Sequence, residues 1–195
     1  TIREIHHRVK NNLQTVSALL RLQSRRSSEE AVKVALAEAE RRVQAIATVH
    51  AALSQNVDES VDFDEVARTI VRMAGAIAST DHAVEVITTG SFGTIQADQA
   101  QALATVLNEL VANSVEHGLA DRDGLIEVRA EREGTSMTVT VADNGVGFVP
   151  GTPMSGLGTQ IVHQMVRGEL KGSIEWAPRE GGGTLVTLHA NLDPA

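Results

Sequence analysis

Two long stretches of helical periodicity open this 195-residue chain and restrict its fold more than any other feature. Apolar residues in 2–22 recur at three- and four-residue spacings, which predicts one face of a helix that runs to about Arg26. Apolar residues in 32–53 follow a heptad pattern in which only His50 is polar. We therefore predict two consecutive helices.

The turn between these helices is short. Ser27 and Glu30 have the spacing of a capping box, so we expect the second helix to begin directly after it. Helices of about 25 residues are about 37 Å long, and a lone antiparallel pair leaves half of each apolar stripe in water. Pairing of two copies into a four-helix bundle buries the remainder, which predicts a homodimer formed through residues 1–57.

A polar segment at residues 54–60 interrupts the heptads, and we interpret it as a hinge between domains at 1–57 and 58–195. The first part has a net charge of +4 and the second of −12. Opposite charges favour docking of the two parts, although two ordinarily solvated surfaces are the simpler alternative.

The second part alternates helices and strands unevenly. The predicted helices are 63–78, 97–117 and 159–170, and the predicted strands are 83–88, 125–130, 137–141, a segment near Ile174, and 184–189. This order lacks regular βαβ units, so we predict an α+β fold with helices on a mixed sheet.

Composition excludes several classes of function. A net charge of −8, with three Phe, one Trp and no Tyr, disfavours a nucleic-acid binder. The absence of cysteine excludes disulfides, thiolate nucleophiles and cysteine zinc sites, and a cytoplasmic location fits best. No apolar run is long enough to span a membrane. The chain begins with Thr1 inside a predicted helix, so we expect a fragment whose upstream sensor domain is missing.

A first glycine motif, Asp143 to Gly147, closes a predicted strand. Gly145 and Gly147 let the backbone approach a flat ligand, and the Asp143 carboxylate is an acceptor for an exocyclic amine. An ordinary Asp-Asn-Gly turn is the alternative.

Two further glycine clusters follow. Gly156 and Gly158 open a helix, whose unpaired amides suit a phosphate group. The intervening segment 148–155 is interpreted as a lid or as an irregular surface loop. The last cluster, Gly181 to Thr184, enters the final strand and is by itself most often a turn.

The long helix carries a polar stripe. Glu109, Asn113 and His117 are spaced i, i+4 and i+8 among apolar neighbours. On a core-facing helix this arrangement is costly unless the side chains meet a polar ligand such as hydrated Mg²⁺ with phosphates. A solvated face is the alternative.

These four segments resemble, in order and spacing, the N, G1, G2 and G3 boxes of the GHKL ATPases, which implies a Bergerat fold that binds MgATP. The resemblance implies that Asp143 holds the adenine amino group and that Asn113 coordinates Mg²⁺. It implies that Glu109 acts through a metal-site water. Gly156 and Gly158 would cover the phosphates. The other residues that it assigns to the nucleotide are Gly145, Gly147, His117 and Thr184.

The first helix indicates the branch of this superfamily. Residues 4–14 resemble the phosphoacceptor box of the HWE-related and HisKA-type histidine kinases, and the order of hairpin, nucleotide domain and lid is similar to actinobacterial sensor kinases of the PdtaS type. The Trp-x-Glu signature of the HWE group is absent, since Glu175 precedes Trp176. The chain is therefore placed beside that group.

Two adjacent histidines compete as phosphoacceptor. His7 points farther from the helix seam and has Asn11 one turn on, which matches the His-x-x-x-Asn spacing of the family. His6 has Lys10 at that place and is kept as the alternative. Glu4, one turn before His7, either serves as base or is not needed.

The resemblance implies a sensor histidine kinase that binds MgATP, phosphorylates His7 and transfers the phosphoryl group to an aspartate in the receiver domain of a response regulator. Two rival functions remain open. One is a GHKL serine kinase that acts on a separate partner, as anti-sigma kinases do. The other is a non-catalytic dimeric scaffold that senses ATP.

Overall fold

The two periodic stretches form an antiparallel helical hairpin in the computed structural model, which describes residues 2–54, 60–78, 81–120, 122–151 and 156–195. Helix α1 spans Ile2–Arg26 and helix α2 spans Glu30–Leu53. Arg21 of α1 donates from Nε to Glu40 Oε1 of α2 at 2.9 Å, which ties the two helices together across the seam.

The capping box predicted at Ser27 and Glu30 is wrong. Glu29 occupies the N-cap of α2 and makes no side-chain cap. The Ser27 hydroxyl instead accepts a hydrogen bond from the Glu29 amide at 3.3 Å. Serine forms such a turn two residues ahead as readily as it caps a helix, and here the hydroxyl is used up within the turn.

The remaining elements are a short strand and a helix followed by alternating strands and helices. They are β1 Ser60–Asp62, α3 Phe63–Ala78, β2 Val84–Gly90, β3 Thr94–Gln96, α4 Ala97–Asn113, β4 Gly124–Glu133, β5 Ser136–Asp143, α5 Leu157–Arg167, β6 Ser173–Pro178 and β7 Thr184–Asn191.

The larger sheet has five strands in the order β2-β4-β5-β7-β6. Strand β2 pairs with β4 in parallel, whereas the other neighbours are antiparallel. Alternating strand residues such as Val128, Val139 and Leu188 pack in one hydrophobic core with Leu103 and Leu107 of α4. The predicted α+β fold, with helices on a mixed sheet, is confirmed.

Strands β1 and β3 were not predicted from the sequence. They pair antiparallel, with Val61 opposite Ile95, and form a separate two-stranded sheet. Phe63 and Phe92 meet edge to face beside it with ring centroids 5.3 Å apart. Three-residue strands are too short to show the alternation on which a prediction depends.

Helix α4 ends four residues before the predicted end at His117. Residues Ser114–Gly118 form a π-helical turn, in which the Leu119 amide donates to the Ser114 carbonyl at 2.8 Å. In a π turn the hydrogen-bonded groups are five residues apart in the chain, one more than in an α-helical turn. This turn carries Gly118 to the end of β5.

Most of the predicted hinge (residues 55–59) and half of the predicted lid (residues 152–155) lie outside the described residues. The division into domains at 1–57 and 58–195 stays a prediction. Among the helices of the described residues, none has the length and apolarity that crossing a bilayer requires.

Candidate functional site

Asp143, the last residue of β5, is a buried carboxylate with well-defined partners. Its Oδ1 accepts hydrogen bonds from the Gly145 amide at 2.9 Å and the Thr184 amide at 3.2 Å. Burial raises the pKa of Asp143, although both amides, Arg179 and the Ser114 hydroxyl oppose this shift. Both of these backbone donors are on Oδ1, so Oδ2 keeps acceptor capacity for a ligand.

The floor beside Asp143 is made of backbone alone. The Val146 amide donates to the Gly118 carbonyl at 2.7 Å. A Cβ on Gly145 would stand 1.8 Å from the Gly118 oxygen, and a Cβ on Gly118 would stand 2.4 Å from Asp143 Oδ2. Glycine is required at both positions because two backbones approach each other here with no room for a side chain.

Glu109 of α4 is buried, with 1% of its surface exposed, and is held by two arginines of the hairpin. Arg42 donates from Nε to Oε1 at 2.6 Å and from Nη2 to Oε2 at 3.2 Å. Arg41 Nη1 lies 3.7 Å from Glu109 Oε1 and donates to the Asn108 carbonyl at 3.1 Å. Burial alone would lower the pKa of Arg42, but the hydrogen bond and charge of Glu109 raise it.

The N-terminus of α5 faces the same carboxylate. Gly156 occupies the N-cap and no side chain caps the helix, so its first amides stay available. A Cβ on Gly158 would lie 2.5 Å from Glu109 Oε2, which explains the glycine at that position. A carboxylate at the positive end of a helix is favourably placed.

Asn113 and His117 stand at successive turns beyond Glu109. Asn113 is half-buried and His117 is exposed, and both line the cavity described below. Glu116 also faces it, and partial removal from water raises the pKa of Glu116 against the opposing charge of Arg41. Glu116 and His117 both belong to the π turn and both line the cavity.

These groups surround one cavity of about 290 Å³. It contains the predicted Glu109, Asn113, His117, Asp143, Gly147, Gly156, Gly158 and Thr184. The predicted Gly145 lies behind Asp143 and supports the floor. Trp176 and Val186 supply an apolar wall. The cavity therefore joins an apolar end, a buried acceptor and a helix N-terminus, which suits a ligand with a flat ring and an anionic tail.

The predicted phosphoacceptor, His7, lies outside this cavity. His7 is exposed and makes no hydrogen bond within the described residues. His6 Nδ1 lies 3.2 Å from His50 Nε2 of α2, and the ring centroids are 4.9 Å apart. Glu4 pairs with Arg8 at 2.8 Å. The structure thus leaves the His7 ring open to a reactant and brings His6 into the seam, but it does not bring His7 to the cavity.

Sequence reasoning missed three cavity residues from the hairpin: Glu38, Arg41 and Arg42. They belong to a second stripe of α2 that continues through Ala45 and Val49, both buried. The opposite net charges of the two parts were a signal for this contact, and the structure shows the docked arrangement. The arginines were not identified because charged residues outside a heptad seam usually face water.

Comparisons with known proteins identify the family. A model described as histidine kinase matches residues 4–77. A second model, described as histidine kinase-, DNA gyrase B- and HSP90-like ATPase, matches residues 98–194. The chain belongs to the histidine kinase family. The predicted family resemblance is thereby confirmed.

This histidine kinase is 46% identical to the sensor histidine kinase PdtaS of Mycolicibacterium smegmatis over 98% of this chain and 40% of that protein. PdtaS of Mycobacterium tuberculosis is also 46% identical, over 96% of this chain and 38% of that protein. The kinase chain thus spans about two fifths of the length of these relatives.

A solved structure, the histidine kinase domain of a blue-light activated histidine kinase from Erythrobacter litoralis, matches the kinase with a TM-score of 0.70. The match covers 98% of this chain and 90% of that chain at 23% sequence identity. At this identity the likeness shows the fold, in which a helical hairpin precedes the ATPase-like layer.

Proposed function

We propose that this chain is the catalytic core of a sensor histidine kinase, which binds MgATP in the cavity, phosphorylates His7 and passes the phosphoryl group to an aspartate of a response-regulator receiver domain. One observation carries the proposal. Asp143, Asn113 and the N-terminus of α5, which are far apart in sequence, converge on the same cavity.

The cavity fits an adenine nucleotide at both ends. Asp143 Oδ2 accepts a hydrogen bond from the exocyclic amino group of adenine, while the backbone of Gly118 and Gly145 makes room for the flat ring. Trp176 and Val186 cover the base with apolar surface. The phosphates extend toward the free amides of α5, where Gly156 and Gly158 permit close approach.

Mg²⁺ fits the donor set beside the phosphates. The Asn113 carboxamide oxygen is a hard ligand of the kind that Mg²⁺ prefers, and Glu109 is one turn away. Among the described residues no group of three or more acidic, His or Cys side chains gathers as a metal cage. This agrees with an ion that is held mainly by phosphates, waters and one or two side chains. When bound, Mg²⁺ neutralises charge on the phosphates.

His7 is proposed as the acceptor because its ring is exposed, whereas His6 is engaged with His50. A ring nitrogen of His7 attacks the γ-phosphorus in line, and the bond to the bridging oxygen breaks, so that ADP leaves. The ring gives its proton to solvent. Glu109 is proposed to orient water at the metal. Little covalent work is left for the protein, so positioning dominates the rate.

The hairpin is proposed to form the homodimer. Its outer surface exposes apolar side chains that a partner helix pair would cover: Ile5, Val16, Leu19, Leu22, Val32, Val34 and Ile46. A groove lined by Leu13, Ala18 and Val43 runs between the helices. This surface suits the packing of a second hairpin into a four-helix bundle.

The test is phosphorylation with γ-labelled ATP and Mg²⁺. We expect acid-labile label on the wild-type chain, label in the His6→Gln variant and less than about 1% of it in His7→Gln, because only the acceptor ring is essential. Label that persists in His7→Gln but disappears in His6→Gln would reverse the assignment. Acid-stable label on a separate protein would indicate a serine kinase. Nucleotide binding without any label would indicate an ATP-sensing scaffold.

A further inference from the structure

The contact between the hairpin and the nucleotide cavity is ionic and buried. Arg42 donates two hydrogen bonds to Glu109, from Nε to Oε1 at 2.6 Å and from Nη2 to Oε2 at 3.2 Å. Paired forks of this kind are strong and directional. Each oxygen of Glu109 therefore has one donor from Arg42, and the pair fixes the orientation of the carboxylate.

The same arrangement keeps the acceptor away from the phosphates. His6 meets His50 of α2, which is eight residues beyond Arg42 and therefore about 12 Å farther along the helix. His7 is not among the cavity residues. Phosphoryl transfer requires that the attacking ring nitrogen and the γ-phosphorus lie about 3–3.5 Å apart. A partner hairpin related by a twofold axis along the bundle would hold its own His7 at the same height, so its offset along the bundle axis is the same.

Beside its apolar part, the interface has a polar part that contributes less stability. Arg41 is 4% exposed, and the buried Nδ2 of Asn108 has no hydrogen-bond partner among the described residues. An unsatisfied buried amide and a buried ion pair stabilise a contact less than an apolar core does. Arg42 also has a second partner on its own helix, since Glu38 lies 3.5 Å away at i−4. The guanidinium thus keeps a counter-charge after it leaves Glu109.

We propose that Arg42 is a latch that holds the kinase core in a docked, unreactive arrangement, and that MgATP in the cavity releases it. The inference rests on the proposed function. With MgATP in the cavity, the Glu109 carboxylate would be drawn toward the waters of Mg²⁺, which weakens its pair with the guanidinium. The Arg42 pair with Glu109 then gives way to the pair with Glu38, and the hairpin is held less firmly against the cavity. Arg42 is a positioning residue in this scheme, because it acts through Glu109 and the hairpin.

The test compares initial rates of His7 phosphorylation at MgATP concentrations well below saturation, where most wild-type chains still hold the Arg42 pair with Glu109. Arg42→Gln removes the latch, and we expect a rate at least about fivefold above wild type, in the range of a typical coupling between sites. Arg21→Gln is the matched control, since it removes an ion pair of the same hairpin with Glu40, away from the cavity. We expect its rate within twofold of wild type. An Arg42→Gln chain that stays folded and labels at the wild-type rate or slower overturns the proposal.

Two further variants decide the case if Arg42→Gln does not fold. Arg42→Lys keeps the charge but loses the paired fork, so its rate is expected to rise. Glu38→Gln removes the alternative partner of Arg42, so its rate is expected to fall even when its nucleotide site is saturated, which the fluorescence of the single Trp176 monitors. Changes in the same direction, or no change in either, overturn the latch.

A conformational measurement separates the latch from a loss of local structure. The chain has no cysteine, so Arg25→Cys and Glu180→Cys, both exposed, provide one dye pair between the hairpin and the sheet. Labelled chains are mixed with excess unlabelled chains to avoid signals across a dimer. We expect Arg42→Gln without nucleotide to shift energy transfer as MgATP shifts the wild type. An unchanged transfer in both samples overturns the proposal.

The two proposals fail in different ways. If the wild type carries no label that depends on His7, the proposed function fails before the latch is tested. If the wild type is labelled on His7 but the Arg42 and Glu38 variants do not diverge, the function stands and only the latch is overturned.

Discussion

At the residue scale, Asp143 lowers the stability of the fold when it is ionised but provides an acceptor for a ligand. Its carboxylate is buried, and burial raises the pKa of Asp143 above its ordinary value of 3.8. A raised pKa in an acid means that the folded state favours the neutral form. The stabilising contribution is therefore complete below pH 3.8 and is lost as the pH rises through the raised pKa. At neutral pH the ionised carboxylate lowers the stability of the fold, and we relate its presence there to ligand binding.

Asp143→Asn separates these two effects. The variant keeps an oxygen for the Gly145 and Thr184 amides but presents an NH₂ group, a donor, where Oδ2 stood. We expect the melting temperature at pH 7 to rise by a few degrees, while affinity for MgATP falls at least about tenfold because two donors face each other. Thermal unfolding and Trp176 fluorescence measure the two quantities.

Asp193→Asn is the control, since Asp193 is exposed and pairs with Lys171 on the surface. It should leave both quantities near the wild type. A lower melting temperature for Asp143→Asn would show that the charge itself stabilises the fold, and unchanged affinity would remove Asp143 from the adenine site.

At the scale of elements, the seam between α1 and α2 contains a histidine pair. Burial, followed by the nearby His6 ring, lowers the pKa of His50 from its ordinary value of 6.5. A lowered pKa in a base means that the folded state disfavours the charged form. The contribution of His50 to hairpin stability is therefore present above pH 6.5 and is lost as the pH falls through the lowered pKa.

We expect wild-type thermal stability to fall between about pH 7 and pH 5, and His50→Gln to reduce that fall, because glutamine does not titrate in this range. His189→Gln is the control, since His189 is exposed and contacts Thr138 on the sheet. Circular dichroism melts at several pH values measure the dependence. An identical pH dependence in wild type and His50→Gln would contradict this account of the seam.

The sequence predicted helices and strands correctly where burial of one face imposes a regular spacing of apolar residues. The helix 63–78 has the predicted bounds because one continuous face of it meets the core. The π turn at 114–118 was missed because no local pattern encodes it: tertiary contact of Gly118 with the end of β5 selects it. Arg41 and Arg42 were missed for a similar reason, since a charge is buried only when its partner, here Glu109, comes from a distant segment.

At the scale of the whole molecule, the hairpin has two apolar faces, of which one is buried and the other is exposed. One face packs against the ATPase-like layer through Ala45 and Val49, both buried. The other leaves Leu19 and Leu22 with 55% and 45% of their surfaces exposed. Exposed leucines at this spacing mark a surface that a second chain would cover.

Leu19→Glu with Leu22→Glu tests this surface. Two leucines contribute about 1.5–3 kcal/mol each when buried, so we expect the dimer dissociation constant to rise at least about 100-fold. Sedimentation velocity at several concentrations gives the constant. Val149→Glu is the control, since Val149 is 72% exposed outside the hairpin. A doubly substituted chain that still sediments as the wild type does would exclude this face.

The π turn has a consequence for length variation along the chain. Its wider winding accommodates one residue more than a regular helical turn, and that surplus residue brings Gly118 to Asp143. Loss of a single residue within Ser114–Gly118 would remove this surplus and withdraw the Gly118 backbone from its contact with Asp143. Insertions and deletions that a surface loop absorbs would here uncouple the adenine end of the cavity from the phosphate end, so this segment must keep its number of residues as well as its glycine at position 118.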